Sequence, residues 1–147
     1  MIQMYANKSP ASFNCDDRYF RALREYIAGK YNKEFGILYA RFNNALIFNN
    51  FDEIKEYEDK IAQYILDNPL RAKDFDIYLF LFNSKKESKV SNRTCKKIYD
   101  LIANDDGEHI GVNLLRYMED KENGFESLKR LLLYCYEYRC KLRIKME

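Results

Sequence analysis

The longest unbroken amphipathic run covers residues 123–146, NGFESLKRLLLYCYEYRCKLRIKM. Phe125, Leu128, Leu131, Leu132, Cys135, Tyr138 and Leu142 recur at steps of three and four, which places them on one stripe of a helix. Lys129, Arg130, Glu137, Lys141 and Lys145 fall mostly on the other side. Asn123 and Glu126 read as a capping box at its start. About 22 residues at ~1.5 Å each make a rod of roughly 33 Å, long enough for the remaining helices to pack against. Its last part, Arg139 to Met146, also alternates polar and apolar, as an edge strand or a membrane-surface segment would; continuation of the helix is the preferred reading.

The same period marks further helices. Phe20, Leu23 and Ile27 line one from about Asp16 to Ala28, with Asn14 as cap and Gly29 as stop. KEFGILYARFNNALIFNN, residues 33–50, presents Phe35, Leu38, Tyr39, Phe42 and Leu46 as a helix; a hairpin turning at Asn43-Asn44 would set Arg41 among Ile37 and Tyr39 and break the alternation. Asn50 and Glu53 open a third helix, with Ile54, Tyr57, Ile61, Tyr64 and Ile65 inward and Asn68-Pro69 as its stop. Residues 74–83, DFDIYLFLFN, are apolar on every side from Ile77 to Phe82, as in a central strand or a buried helix; with no second strand in view they read as a short buried helix starting near Arg71. After a polar loop, NSKKESKVSN, Ser91 caps a helix through Ile102 with Cys95, Ile98, Leu101 and Ile102 inward. A turn at Asn104 to Gly107 leads to a helix over about 108–121 carrying Ile110, Leu114, Leu115 and Met118. Residues 1–13 read as a polar, loosely held start. The expected fold is therefore an all-α bundle of six or seven mostly antiparallel helices, one domain over residues 14–147, built around the C-terminal helix.

Within this bundle, residues 35–69 (a helix, an Asn-rich turn, FDEIKEYEDKI and the closing Pro69) resemble one tetratricopeptide helix-turn-helix unit. Phe42 and Ile54 stand where that family has small residues, and no second copy follows at a 34-residue period, so the likeness implies an antiparallel helical hairpin and no more.

Composition agrees with a helical globular chain. Of 147 residues, 47% are hydrophobic and 33% charged, and twelve Ile are joined by only Val90, Val112 and Thr94 among the other β-branched residues. Five Gly and two Pro supply few of the turns an all-β chain needs, although 13 Tyr and 10 Phe suit strands. Cys15, Cys95, Cys135 and Cys140 form no CxxC pair and no disulfide framework. The first residues carry no apolar leader-like run, and no stretch reaches 18 apolar residues. These features point to a reduced, cytoplasmic setting with no membrane partner. The Lys-, Asn-, Ile- and Tyr-rich vocabulary is that of an AT-rich genome, such as a phage, a virus acting in a host-cell cytosol, or a low-GC bacterium.

No candidate chemistry emerges. His109 is the single histidine, so no His-pair metal site can form, and the cysteines sit on apolar faces or beside acids, where a thiol stays protonated. The carboxylates of 52–59 and 105–126 crowd polar stretches, as solvated faces do, and DDGEHIGVN lacks the ligand ladder of a calcium loop. Gly107 and Gly111 do not make a phosphate loop. The expectation is no catalytic residue, no metal and no cofactor.

Charge is informative by its placement. The formal net is only +2, yet residues 83–97 hold six basic residues and one acid (net +5), 129–147 hold six and two (+4), 104–126 hold two and seven (−5), and 50–60 hold two and five (−3). With so many Tyr and Phe to anchor an interface, the expected function is a non-catalytic protein–protein interaction module: a small inhibitor, immunity-type or adaptor protein acting through charged and Tyr/Phe-bearing patches. The alternative is a nucleic-acid-binding regulatory protein that uses the basic 85–97 loop and the basic C-terminal helix, with Tyr134, Tyr136 and Tyr138 stacking on bases. The candidate partner-binding residues are Lys85, Lys86, Lys89, Arg93, Lys96, Lys97, Arg139, Lys141, Arg143 and Lys145.

Overall fold

The computed structural model describes residues 1–68, 75–107, 110 and 124–147. Along the chain run β1 (Ile2–Tyr5), β2 (Ser12–Cys15), α1 (Asp17–Tyr31), α2 (Lys33–Ile47), α3 (Phe51–Asp67), α4 (Phe75–Phe82), β3 (Glu87–Val90), α5 (Asn92–Ile102), α6 (Gly124–Glu137) and β4 (Leu142–Met146). Helix predominates, but the fold is not all-α: the four strands form one antiparallel sheet in the order β2-β1-β4-β3.

The sheet overturns three expectations. The N-terminal segment is a paired hairpin, with Ile2, Met4 and Phe13 at most 3% exposed. The polar 83–92 loop contains β3, paired with β4. The long C-terminal helix stops at Glu137, and its tail becomes β4, a central strand lying between β1 and β3. Each strand is four or five residues long and shows only one to three apolar positions. Such short alternations are weak signals on their own, and what stabilises them is pairing between distant parts of the chain.

The break in the C-terminal run has a local cause. Arg139 adopts a left-handed backbone (φ 52°), its N–H donates to Tyr136 O at 3.3 Å, and Cys140 N–H donates to Cys135 O at 3.0 Å. This is a Schellman closure with Arg where Gly is usual. Tyr138, which the helical stripe places inward, is 68% exposed in that turn and stacks on Tyr134 with ring centroids 4.4 Å apart.

The other helices follow their sequence signals more closely. Asp16, not Asn14, caps α1, accepting from Tyr19 N–H at 2.8 Å. Asn32, Asn50 and Ser91 cap α2, α3 and α5 in the same way. Both ambiguous stretches, 33–47 and 75–82, are helical. Gly29 does not end α1; it lies within it, against Gly36 of α2. The α2–α3 pair is the expected helical hairpin. The helix expected over 108–121, the proposed cap Asn123 and the stop at Pro69 fall outside the described residues.

Packing runs from the sheet outward. The inner face of the sheet (Ile2, Met4, Phe13, Cys15, Val90, Leu142, Ile144) is buried, and α6 lies against β2 and β4. Helix α5 packs on α6, α1 on both α5 and α2, and α3 on α2. Phe35 is the hub of an aromatic cluster, its ring 5.2 Å from Tyr78, 5.7 Å from Tyr64, 6.0 Å from Tyr31 and 6.3 Å from Tyr39 and Phe82. Much of the Tyr and Phe supply is therefore core, where large rings at edge-to-face or tilted angles fill volume efficiently.

Candidate functional site

Strand alternation sends every second residue to the face opposite the core. Gln3, Tyr5, Ser12, Asn14, Glu87, Lys89, Arg143 and Lys145 occupy this outer face, all exposed or half-exposed. The pairing joins the two basic stretches that lie far apart in sequence: Lys89 is opposite Arg143, and Glu87 is opposite Lys145. Met146 N–H donates to Lys86 O at 2.7 Å, which extends the ladder and holds exposed Lys85 and Lys86 at the end of β3.

The remaining candidate residues are dispersed. Lys96 is occupied: its Nζ lies 2.8 Å from Asp100 Oδ1 and 5.3 and 5.5 Å from the ring centroids of Tyr99 and Tyr136. Arg93 and Lys97 share α5 with it, and Arg93 is exposed. Arg139 lies in the turn before β4, and Lys141 borders a cleft of about 200 Å³ with Asp76, Asn83, Ser91 and Thr94. The expected basic surface thus divides into a sheet face and a separate helix.

A second surface was missed. Where the helical period places Leu46 inward, it is 44% exposed, and Ile47, Phe48 and Phe51 are 46%, 72% and 78% exposed. These four residues surround one tight turn. Asn49 takes φ 52°, its N–H donates to Leu46 O, and Asn50 N–H donates to Ala45 O at 3.0 Å, a Schellman closure followed at once by the Asn50 cap of α3. The apolar side chains are therefore carried by an ordered tip. From Phe51 to Lys60 no residue of α3 is buried, and Asp52, Glu53, Glu56, Glu58 and Asp59 are exposed there. The signal in the sequence was the run LIFNNF, apolar on both sides of an obvious turn.

Buried polar groups lie mainly between α1, α2 and α4. Arg24 stacks on Phe20 at 4.2 Å and donates through Nη2 to Asn83 O at 2.7 Å. Burial lowers its pKa from the usual guanidinium range. Tyr39 Oη donates to Leu81 O at 2.8 Å, and burial pushes its hydroxyl up to about 12. Asn43 Nδ2 donates to Glu25 Oε1 at 2.9 Å. These groups tie α1 to α2 and α4.

Cys15, Cys135 and Cys140 are held protonated. Burial, with Asp16 and Asp17 beside it, pushes Cys15 up to about 12. A hydrogen bond with Cys95, then burial, raises Cys135, and burial raises Cys140. Among the described residues no His, Cys, Asp and Glu side chains are grouped to hold a metal ion, and no helix is long and apolar enough to cross a membrane. His109 and most of the acidic 104–126 stretch lie outside the described residues. Asp105 is no free surface acid: it accepts from Tyr26 Oη and pairs with Lys30 at 3.0 Å.

Comparison with protein-family models, curated proteins and solved structures finds no match for this chain.

Proposed function

We propose that the chain is a non-catalytic protein-binding module, of the kind used by small inhibitors, immunity proteins or adaptors, and that the tip of the α2–α3 hairpin is its contact. The observation that carries this reading is the exposure of Leu46, Ile47, Phe48 and Phe51 around one ordered turn. Large apolar side chains are costly to leave in water, and when they are clustered on an ordered element they suit a partner's pocket. The tip loses little conformational freedom on docking because both helix ends are already capped.

The neighbouring charge defines the partner. The first turns of α3 are acidic, so a partner with an apolar socket and a basic rim would be steered to the tip and kept in register. This differs from the expectation drawn from the sequence, which gave the contact to the basic segments.

The test is capture from the native host with tagged wild-type protein and with a Phe48→Ser/Phe51→Ser variant, both first checked for the same thermal unfolding. The expected result is a discrete co-purifying protein lost in the variant and weakened by charge reversal at Glu53 and Glu56. Recovery of the same protein in equal amount by the variant would exclude the tip as the contact.

A further inference from the structure

The outer face of the sheet raises a separate question. Register fixes two adjacent rows on it: Ser12, Tyr5, Arg143, Lys89, and Asn14, Gln3, Lys145, Glu87. Side chains within a row are ~5 Å apart and the rows ~7 Å apart. One row therefore sets an aromatic ring, a guanidinium and an ammonium side by side. A hollow of about 350 Å³ lies there, lined by Tyr5, Glu87, Ser88, Lys89, Arg143 and Ile144.

Placing Lys89 directly opposite Arg143 works against the sheet, because like charges in a cross-strand pair repel. Neither side chain has an ion pair among the described residues, whereas Lys145 has Glu87 across from it and Glu147 at 3.5 Å. A lysine on an edge strand discourages unwanted strand pairing. That accounts for Lys89 on β3, but not for an arginine facing it from a central strand. An anion bound between them would relieve the repulsion.

We propose that this face binds single-stranded nucleic acid, with Lys89 and Arg143 on a backbone phosphate and the Tyr5 ring stacked on a base. Arg143 offers a planar fork that matches phosphate oxygens, and Lys89 a point charge. Stacking on Tyr5 needs no particular base, so recognition is tolerant of sequence. Lys85 and Lys86 extend the positive track, and Glu87 and Glu147 lie beside Lys145 at its edge. An acidic peptide would use the two cations but leave the aromatic ring without a planar partner.

The test is fluorescence polarisation of the full chain with labelled single-stranded DNA and RNA of about 15 nucleotides, a length spanning one sheet face, across a salt series. Affinity is expected to fall linearly with salt on a log–log plot. Lys89→Glu/Arg143→Glu should weaken binding at least ~tenfold and reduce the slope by about 0.7, for the one phosphate they hold. Tyr5→Leu should cost roughly fivefold or more, and Tyr5→Phe little. Arg93→Glu, on α5, should leave binding within about twofold, as expected of a residue off the phosphate track. All variants lie on exposed or half-exposed positions, and a thermal melt of each is the check that it is folded. Any one of three results would overturn the proposal: no salt-sensitive binding at low ionic strength, equal loss with Arg93→Glu, or polyglutamate bound as tightly as the oligonucleotides.

Discussion

Two glycines show how much one hydrogen atom can decide. A Cβ added at Gly36 would lie 2.6 Å from Gly29 Cα and 2.9 Å from Gly29 N, a collision with backbone that no rotamer can relieve. A Cβ at Gly29 would meet nothing within 4 Å. The contact is therefore asymmetric, and so is the expected outcome. Gly36→Ala should destabilise by about 1–3 kcal/mol or more, because α1 and α2 must move apart. Gly29→Ala should be neutral or stabilising by up to about 1 kcal/mol, the gain in helix propensity. Urea unfolding of the two variants checks this, and equal effects would refute the close crossing. Asp105 supplies the pH-dependent counterpart. The hydrogen bond from Tyr26, aided by Lys30 and opposed by burial, holds its carboxyl below the ordinary range. A depressed folded-state value stabilises the fold above the unfolded value near ~3.9, and that contribution disappears as pH falls through the folded one. Asp105→Asn should therefore destabilise the fold at neutral pH, and the gap to wild type should narrow as pH falls below the ordinary carboxylate range. Thermal unfolding followed across the acid range would reveal a gap that persisted there.

At the scale of elements, helix ends decide more than helix interiors. Helices α2 and α6 both finish in Schellman closures, with Asn49 and Arg139 in the left-handed position. Asn tolerates that conformation, whereas Arg bears a steric cost of roughly 1–2 kcal/mol that Gly would not. Arg139→Gly gains that amount less the extra freedom of an unfolded glycine, ~0.5–1 kcal/mol, so a net stabilisation of up to about 1.5 kcal/mol is expected. A β-branched Arg139→Val should destabilise, and chemical denaturation separates the two. The break was hard to read because nothing in YCYEYRCKLRIKM carries the usual glycine. The stripe also continues in step: Leu142 suits both a helix and the alternation of β4. By contrast α1, α3 and α5 were legible because each has an Asx or Ser cap and at least three turns of period. The apolar tip was legible as residues but not as a surface, since Leu46 fits the inward stripe of α2 and only the ending of that helix beside solvent exposes it.

At the scale of the whole molecule, the two ends of the chain build the middle of the sheet. β1 and β4 pair from Ile2↔Met146 to Tyr5↔Arg143, and each also carries an edge strand. Leu142 and Ile144 are at most 2% exposed. Removing residues 142–147 should therefore abolish cooperative unfolding, since it deletes a central strand, leaves β3 without a partner and β1 with β2 alone, and opens the inner face to water. A frayed helix end could be lost with little effect, so circular dichroism melts of the truncated chain distinguish the two architectures. The same pairing creates the basic face, by setting a lysine from the 83–92 segment beside an arginine from the tail. Acidic α3 and its apolar tip form a separate surface on the outside of α2, which leaves room for two partners of opposite charge.

By itself the sequence determined the helices, because a 3.6-residue period and a capping side chain are local properties that any long enough window displays. It also determined the unactivated thiols and the segregation of charge. Only the tertiary structure decided where the last helix ends, which residues form strands, and which basic groups meet. The strands and the basic groups they bring together depend on backbone hydrogen bonds between segments distant in the chain, Ile2 with Met146 and Glu87 with Lys145 among them, and four-residue strands have no stability until their partners arrive.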